Sequence, residues 1–131
     1  VHLGQDDLDI KAAREYLGAD KIIGVSAHNV KEALGAENGG ADYLGSGAAF
    51  VTSTKTDAGA IDHKVLSDVA HSVKIPVVAI GGINKDNISQ LEGLGLDGVA
   101  VVSAIFAADD ISSAVIDLKA KAEKVAESSV K

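Results

Sequence analysis

Cysteine is absent from the sequence. That excludes disulfides, thiolate zinc sites and a cysteine nucleophile, and it fits a protein of the reducing cytoplasm. Aromatic residues make up only 3%, too few for a base-stacking platform. Basic residues are outnumbered: 12 Lys and Arg face 19 Asp and Glu, a formal charge of −7. Such a chain lacks the basic face that non-specific nucleic-acid binding needs, so no nucleic-acid partner is expected. No apolar run reaches the roughly 20 residues of a membrane span, so no membrane partner is expected either. The opening Val1-His2-Leu3 carries no basic region of the kind that begins a signal peptide. What is present is 47% hydrophobic and 24% charged over 131 residues. That is the make-up of one globular domain spanning residues 1–131, and not of a disordered tail.

Five apolar runs punctuate the chain: Val1–Leu3, Ile22–Val25, Tyr43–Leu44, Val77–Ile80 and Val99–Val102. Three are nearly continuous and β-branched, as in parallel strands buried on both faces. Helix-period segments follow them. Ile10, Ala13 and Leu17 form one stripe between Asp9 and a terminating Gly18. Asn29 and Glu32 read as a capping box opening a helix whose buried face is Val30, Ala33 and Leu34. Asp62 opens a helix carrying Val65, Leu66, Val69 and Val73, and Asp86 or Asn87 opens a short one through Ile88 and Leu91. The last helix starts near Asp110 and carries Ile111, Ala114, Val115, Leu118, Ala122 and Val125. Alternating strands and helices predict an α/β protein of about five βα units with a parallel sheet and right-handed crossovers. Five units suit an open, flavodoxin-like sheet or the larger part of an eight-unit TIM barrel. Gly35 falls where a helix former is usual, which costs roughly 0.5–1 kcal/mol relative to Ala.

Several strand ends carry residues suited to chemistry. Gly81 and Gly82 follow a strand and precede a helix, which fits close approach of backbone N–H groups to a phosphate. It equally fits a tight turn that needs positive φ. One unit later, Val102 and Ser103 end a strand where a short helix begins. Two successive strand ends of this kind match the phosphate site of barrel enzymes. The stretch Gly45–Asp57 is the longest without helical or strand period, and loops of that length are uncommon unless functional. Within it Thr52, Ser53 and Thr54 place three hydroxyls beside Lys55, short donors around a mobile cation and suited to phosphate or diphosphate. Asp6 and Asp7 close the first strand's turn, as hard oxygen ligands for Mg2+ or as a helix cap. Ser26 ends the second strand and can reach a ligand above the sheet. His28 precedes a helix and reads more readily as a satisfied polar residue than as a base. His63 and His71 fall on helical sequence at the surface. His2 precedes the strand end, where a barrel would turn it to the interior, and has no assigned role.

Taken together, VHLGQDD at Val1–Asp7, GVSAHN at Gly24–Asn29, ADYLG at Ala41–Gly45, TSTK at Thr52–Lys55, VVAIGGIN at Val77–Asn84 and DGVAVVSAI at Asp97–Ile105 resemble the thiamine-phosphate synthase family. The runs occur in the family's order and cover nearly the whole chain. The resemblance implies a (βα)8 barrel that joins hydroxymethylpyrimidine diphosphate to hydroxyethylthiazole phosphate and releases pyrophosphate, with Mg2+ as cofactor. It further implies Asp7 as a metal ligand, Ser26 as a contact to the pyrimidine substrate and Lys55 as the catalytic residue that holds the leaving diphosphate. Thr52, Ser53, Thr54, Gly82, Val102 and Ser103 become the cup for the thiazole phosphate.

Against the family's eight units, this sequence matches the last five. The resemblance then assigns an Arg, a Lys, an Asn and a second magnesium Asp of the diphosphate site to units outside it. Activity of this chain by itself is expected to be far below that of a full barrel. The competing expectation is a catalytically impaired fragment or engineered partial barrel that at most binds a phosphorylated ligand. Exposed strand edges of a partial barrel also invite homo-oligomers.

Overall fold

The computed structural model of the chain describes residues 1–51 and 59–131. Short, mostly apolar runs form strands β1 (His2–Leu3), β2 (Gly24–Ala27), β3 (Tyr43–Ser46), β4 (Val77–Ile80) and β5 (Gly98–Ala100). Between and after them lie helices α1 (Ile10–Leu17), α2 (Val30–Asn38), α3 (His63–Ser72), α4 (Ser103–Phe106) and α5 (Ile111–Ala126), and a 3-10 turn at Ile88–Leu91. The helix starts follow local chemistry. The side chains of Asp9, Asn29, Asp62 and Asp110 each accept backbone N–H bonds from the first turn they precede. The Asn29–Glu32 box closes one residue early: Glu32 Oε2 accepts the N–H of His28 at 2.8 Å, not that of Asn29.

All five strands are parallel and lie in the order β1-β2-β3-β4-β5. A flavodoxin-like sheet would place the second strand outside the first, so the sequential order sets that alternative aside. What remains is the arrangement of successive barrel units, in an open sheet. Sequential right-handed crossovers put the helices that connect the strands on one face, and the register separates the faces. Leu3, Val25, Leu44 and Val77 form one row across the sheet, and Ala27, Ser46 and Ala79 another. All seven are buried against the helices. The alternate rows, His2–Gly24–Tyr43 and Ser26–Gly45–Val78, turn to the opposite face.

The core is aliphatic. Ile23, Leu44, Leu66, Ile88, Leu91 and Leu96 are fully buried, each contributing about 1.5–3 kcal/mol. Leu34 does not join it: Ala33 and Ala36 form the buried stripe of α2, and Leu34 is 40% exposed. In α5 the buried residues are Leu118 and Val125, while Ile111 and Val115 face outward with Ile116. His63 is half-buried, its Nε2 3.1 Å from the carbonyl of Ala49, whereas His71 is exposed. Gly35 has open space around its missing side chain. No helix among the described residues is long and apolar enough to cross a membrane.

One device recurs at the foot of the sheet. Asp42, just before β3, donates its N–H to the carbonyl of Ile23 at 2.8 Å and accepts the N–H of Ile23 on Oδ2 at 2.8 Å. Asp97, just before β5, makes the same reciprocal pair with Val77, at 2.8 Å and 2.8 Å. Each aspartate thus fixes the register of its strand on the preceding one. Arg14 Nη2 on α1 adds a 2.8 Å bond to Asp42 and a 2.9 Å bond to the carbonyl of Gly40, and Arg14 Nη1 reaches the carbonyl of Lys21. The Arg14 hydrogen bond, with help from the Ile23 amide, holds the Asp42 carboxyl below the usual carboxylate range.

A carboxylate with a lowered folded pKa stabilises the fold in full above its ordinary value of about 3.9, and the contribution is lost as pH falls through the lower folded value. Asp42→Asn keeps an acceptor for Ile23 but removes the charge. Its urea midpoint is expected below that of the unsubstituted chain at neutral pH, with the gap closing on acidification below about pH 4. A gap independent of pH would contradict the role given to the Arg14–Asp42 pair.

Candidate functional site

In open and closed parallel folds, ligands collect at the carboxyl ends of the strands. Here those ends surround a cavity of about 650 Å³ on the face away from α1, α2 and α3. Ser26 of β2 borders it, as do Gly82 after β4 and Val102 and Ser103 after β5. Four of the residues singled out from sequence therefore share one concavity. His2, Tyr43 and Gly45 form its floor.

The Gly82 wall is shaped by backbone. Gly81 has φ +95° and Gly82 φ +67°, the left-handed region that side chains with a Cβ disfavour. A Cβ on Gly82 would also meet the carbonyl oxygen of Phe50 at 2.7 Å, and one on Gly81 the Cβ of Ala48 at 2.7 Å. The chain leaving β3 packs directly on this turn: Ala49 N–H donates to Ile80 at 2.8 Å and Phe50 N–H to Gly81 at 3.1 Å. Ile61 N–H returns to the carbonyl of Ala48 at 2.9 Å. Asn87 fixes the other side of the turn, donating from Nδ2 to the carbonyl of Gly82 at 2.8 Å and accepting from Asn84 N–H at 2.8 Å. Because C=O and N–H of a trans peptide point in opposite directions, this bond turns the Ile83 N–H away from Asn87. The tight-turn reading of the two glycines is thus met, on the cavity wall where the phosphate reading needs it. At the neighbouring wall α4 begins at Ser103, and the first amides of a helix have no acceptor within it. Val102, 73% exposed, and Ser103 stand open to the cavity mouth.

The floor joins Ser26 to two residues given no role from sequence, His2 and Tyr43. His2 Nε2 lies 2.9 Å from Ser26 Oγ, and His2 Nδ1 lies 3.0 Å from Tyr43 Oη. Three strands contribute one residue each. Glycines make the crossing possible: a Cβ on Gly24 would meet the Tyr43 ring at 2.1 Å, and one on Gly45 would meet His2 Cε1 at 3.0 Å. Gln5 Nε2 donates to the carbonyl of Ser26 at 2.6 Å, so Ser26 is held by backbone and side chain alike. The signal was available in the alternation of strand residues: His2, Tyr43 and Ser26 all fall on the face opposite Leu3, Leu44 and Val25.

Other expected residues lie elsewhere. Asp7 borders a separate, smaller cavity with Gln5 and Glu32, and its Oδ2 accepts the N–H of Gly4 at 2.7 Å. His28 lies at the rim of the main cavity, with Nδ1 2.9 Å from Glu32 Oε2. Thr52, Ser53, Thr54 and Lys55 lie outside the described residues. Among the described residues no cluster of three or more His, Cys, Asp or Glu is arranged to hold a metal ion.

The chain is similar to several known proteins. The sequence model of the family described as thiamine monophosphate synthase matches residues 1–105. A thiamine-phosphate synthase of Clostridium beijerinckii is 50% identical over 119 residues, 91% of this chain and 57% of that protein. One from Clostridium acetobutylicum is 54% identical over 111 residues, 85% of this chain and 53% of that protein. Among solved structures, a thiamine phosphate pyrophosphorylase from Pyrococcus furiosus matches with a TM-score of 0.85 and 46% identity, covering 95% of this chain and 59% of that one. A 3-hexulose-6-phosphate synthase, at TM-score 0.70 and 19% identity, shares the fold. The chain spans a little over half the length of the curated relatives it matches.

Gly82→Ala is expected to cost about 1–2 kcal/mol from the left-handed backbone alone, with more from the Phe50 carbonyl. Chemical denaturation measures it. An unchanged midpoint would mean that the turn is not held as described.

Proposed function

Because the chain belongs to the thiamine monophosphate synthase family, we propose that it carries part of a site that joins a hydroxymethylpyrimidine diphosphate to a hydroxyethylthiazole phosphate, releasing pyrophosphate. The observation that carries this reading is the single cavity bordered by Ser26, Gly82, Val102 and Ser103. Its size suits small phosphorylated substrates, and pockets for such ligands are commonly of this order. The Gly82 turn and the start of α4 offer backbone donors to the thiazole phosphate, and the Ser103 hydroxyl adds a side-chain donor. Ser26, some distance along the same cavity, takes the pyrimidine. Held this way, the thiazole nitrogen faces the pyrimidine methylene, and a two-substrate step becomes a reaction within one complex.

The methylene–oxygen bond breaks with both electrons leaving on the diphosphate, and the thiazole nitrogen lone pair forms the new C–N bond. No side chain has to take a proton before that bond breaks, which agrees with a cavity whose histidines are engaged by Ser26, Tyr43 and Glu32. The difficulty is charge on the departing diphosphate. Lys55 is assigned to neutralise it, with Thr52, Ser53 and Thr54 beside it as donors to the thiazole phosphate. A divalent cation, Mg2+ by family membership, supplies further neutralisation when bound. Asp7 would be its one carboxylate from this chain: it is exposed, its Oδ2 accepts the Gly4 N–H and it borders the smaller cavity, so the remaining ligands would be substrate phosphates and water. Because the chain spans little more than half of its relatives' length, its own turnover is expected to be far below theirs.

Calorimetric titration with hydroxyethylthiazole phosphate, then with hydroxymethylpyrimidine diphosphate and Mg2+, tests the reading. Saturable binding of both is expected, the thiazole phosphate more tightly. Absence of binding by either would overturn it. Binding of the thiazole phosphate alone would reduce the chain to a phosphate-ester binding module.

A further inference from the structure

The His2 imidazole sits between two hydroxyls, and neither has another partner among the described residues. A neutral imidazole has one N–H and one bare nitrogen, so it can accept from one hydroxyl and donate to the other. Which way round this runs decides what Ser26 presents to the cavity. If Ser26 donates to His2, its oxygen faces the ligand as an acceptor. If Ser26 accepts from His2, its own proton is left for the ligand.

The two hydroxyls are chemically unequal. A phenol is far more acidic than an alcohol, and is the stronger hydrogen-bond donor. Its oxygen is also the poorer acceptor, because a lone pair is shared with the ring. The Tyr43 phenol therefore donates to Nδ1, which places the imidazole proton on Nε2. The second nitrogen's state follows from the bond made by the first. Nε2–H then donates to Ser26 Oγ across 2.9 Å. Each bond polarises the next in the same direction.

We propose that Tyr43 and His2 form a one-way hydrogen-bond relay that fixes Ser26 as a donor, so that the ligand atom met by Ser26 is an acceptor such as a heteroaromatic ring nitrogen or a phosphate oxygen. Resting on the substrate assignment above, that atom is an acceptor of the pyrimidine substrate. His2 and Tyr43 are positioning residues: they act through Ser26. The relay also accounts for the glycine at position 24, the only residue small enough to let the Tyr43 ring cross β2.

Two measurements test this. The first is the tautomer of His2 in the unliganded 131-residue chain, read from long-range proton–nitrogen NMR correlations and assigned with His2→Gln. The relay requires the proton on Nε2. A proton on Nδ1, or a mixture of the two, overturns it. This measurement needs no ligand, so it judges the relay even if the functional reading fails. The second is a double-mutant cycle on binding of hydroxymethylpyrimidine diphosphate with Mg2+, using Tyr43→Phe, Ser26→Ala and the double variant. Tyr43→Phe keeps the ring over Gly24 and removes only the phenol proton. It is expected to weaken binding about tenfold, the scale of one hydrogen bond, and to have no effect in the Ser26→Ala background. Equal losses in both backgrounds would show that Tyr43 acts independently of Ser26 and would overturn the relay. Failure of the unsubstituted chain to bind the diphosphate would count against the substrate assignment alone.

Discussion

Among the described residues each strand pairs only with the strands before and after it in sequence, and the rest of the molecule depends on that constraint. Parallel neighbours need a crossover, the crossover is right-handed, and an unbroken sequential order keeps every crossover on the same side. One face of the sheet is thereby buried under helices and the other is left to the cavity. The alternation of side chains along each strand then sorts residues without further instruction: Leu3, Val25, Leu44 and Val77 go to the core, and His2, Ser26, Tyr43 and Gly45 to the cavity. A slip of one residue in any strand would exchange the two sets. That is why Asp42 and Asp97, which pin register by reciprocal bonds to the preceding strand, matter to the site although they lie at its far end.

The site itself is made of absences as much as of groups. Glycine at 24 and 45 clears the floor so that His2 and Tyr43 can reach across strands, and glycine at 81 and 82 lets the β4 turn press against the chain leaving β3. Small residues leave the centre open, and backbone donors at two neighbouring strand ends surround it. The chemistry proposed for such a site needs charge to be received and two substrates to be aligned, and it makes little demand on a strong acid or base.

Much of this was legible in the sequence because much of it is local. Caps at Asp9, Asn29, Asp62 and Asp110 depend on two or three adjacent residues, and each was readable from spacing alone. The turn after β4 and the helix start after β5 announced themselves by composition. What could not be read was what each helix would find to pack against. Leu34 has helical spacing suited to burial, yet it is exposed because α2 turns the smaller Ala33 and Ala36 inward, and Ile111 and Val115 are exposed on α5, which buries Leu118 and Val125 instead. The His2–Tyr43–Ser26 group was hidden for a different reason. It is 41 residues from end to end in sequence, and it exists only once the register of three strands is known. Composition separated neither Asp7 from the main cavity nor His28 from its partner Glu32, since both follow from side-chain direction in a turn.

In the proposed function, residues from four strand ends act as one ligand site. Amide chemical-shift mapping of the labelled chain during addition of hydroxyethylthiazole phosphate tests it most directly. Saturable shifts are expected at residues 81–83 and 102–104, with smaller ones reaching Ser26 and Gly45, and none along the outer faces of α1 to α3. Shifts confined to the helical face, or absent altogether, would contradict it.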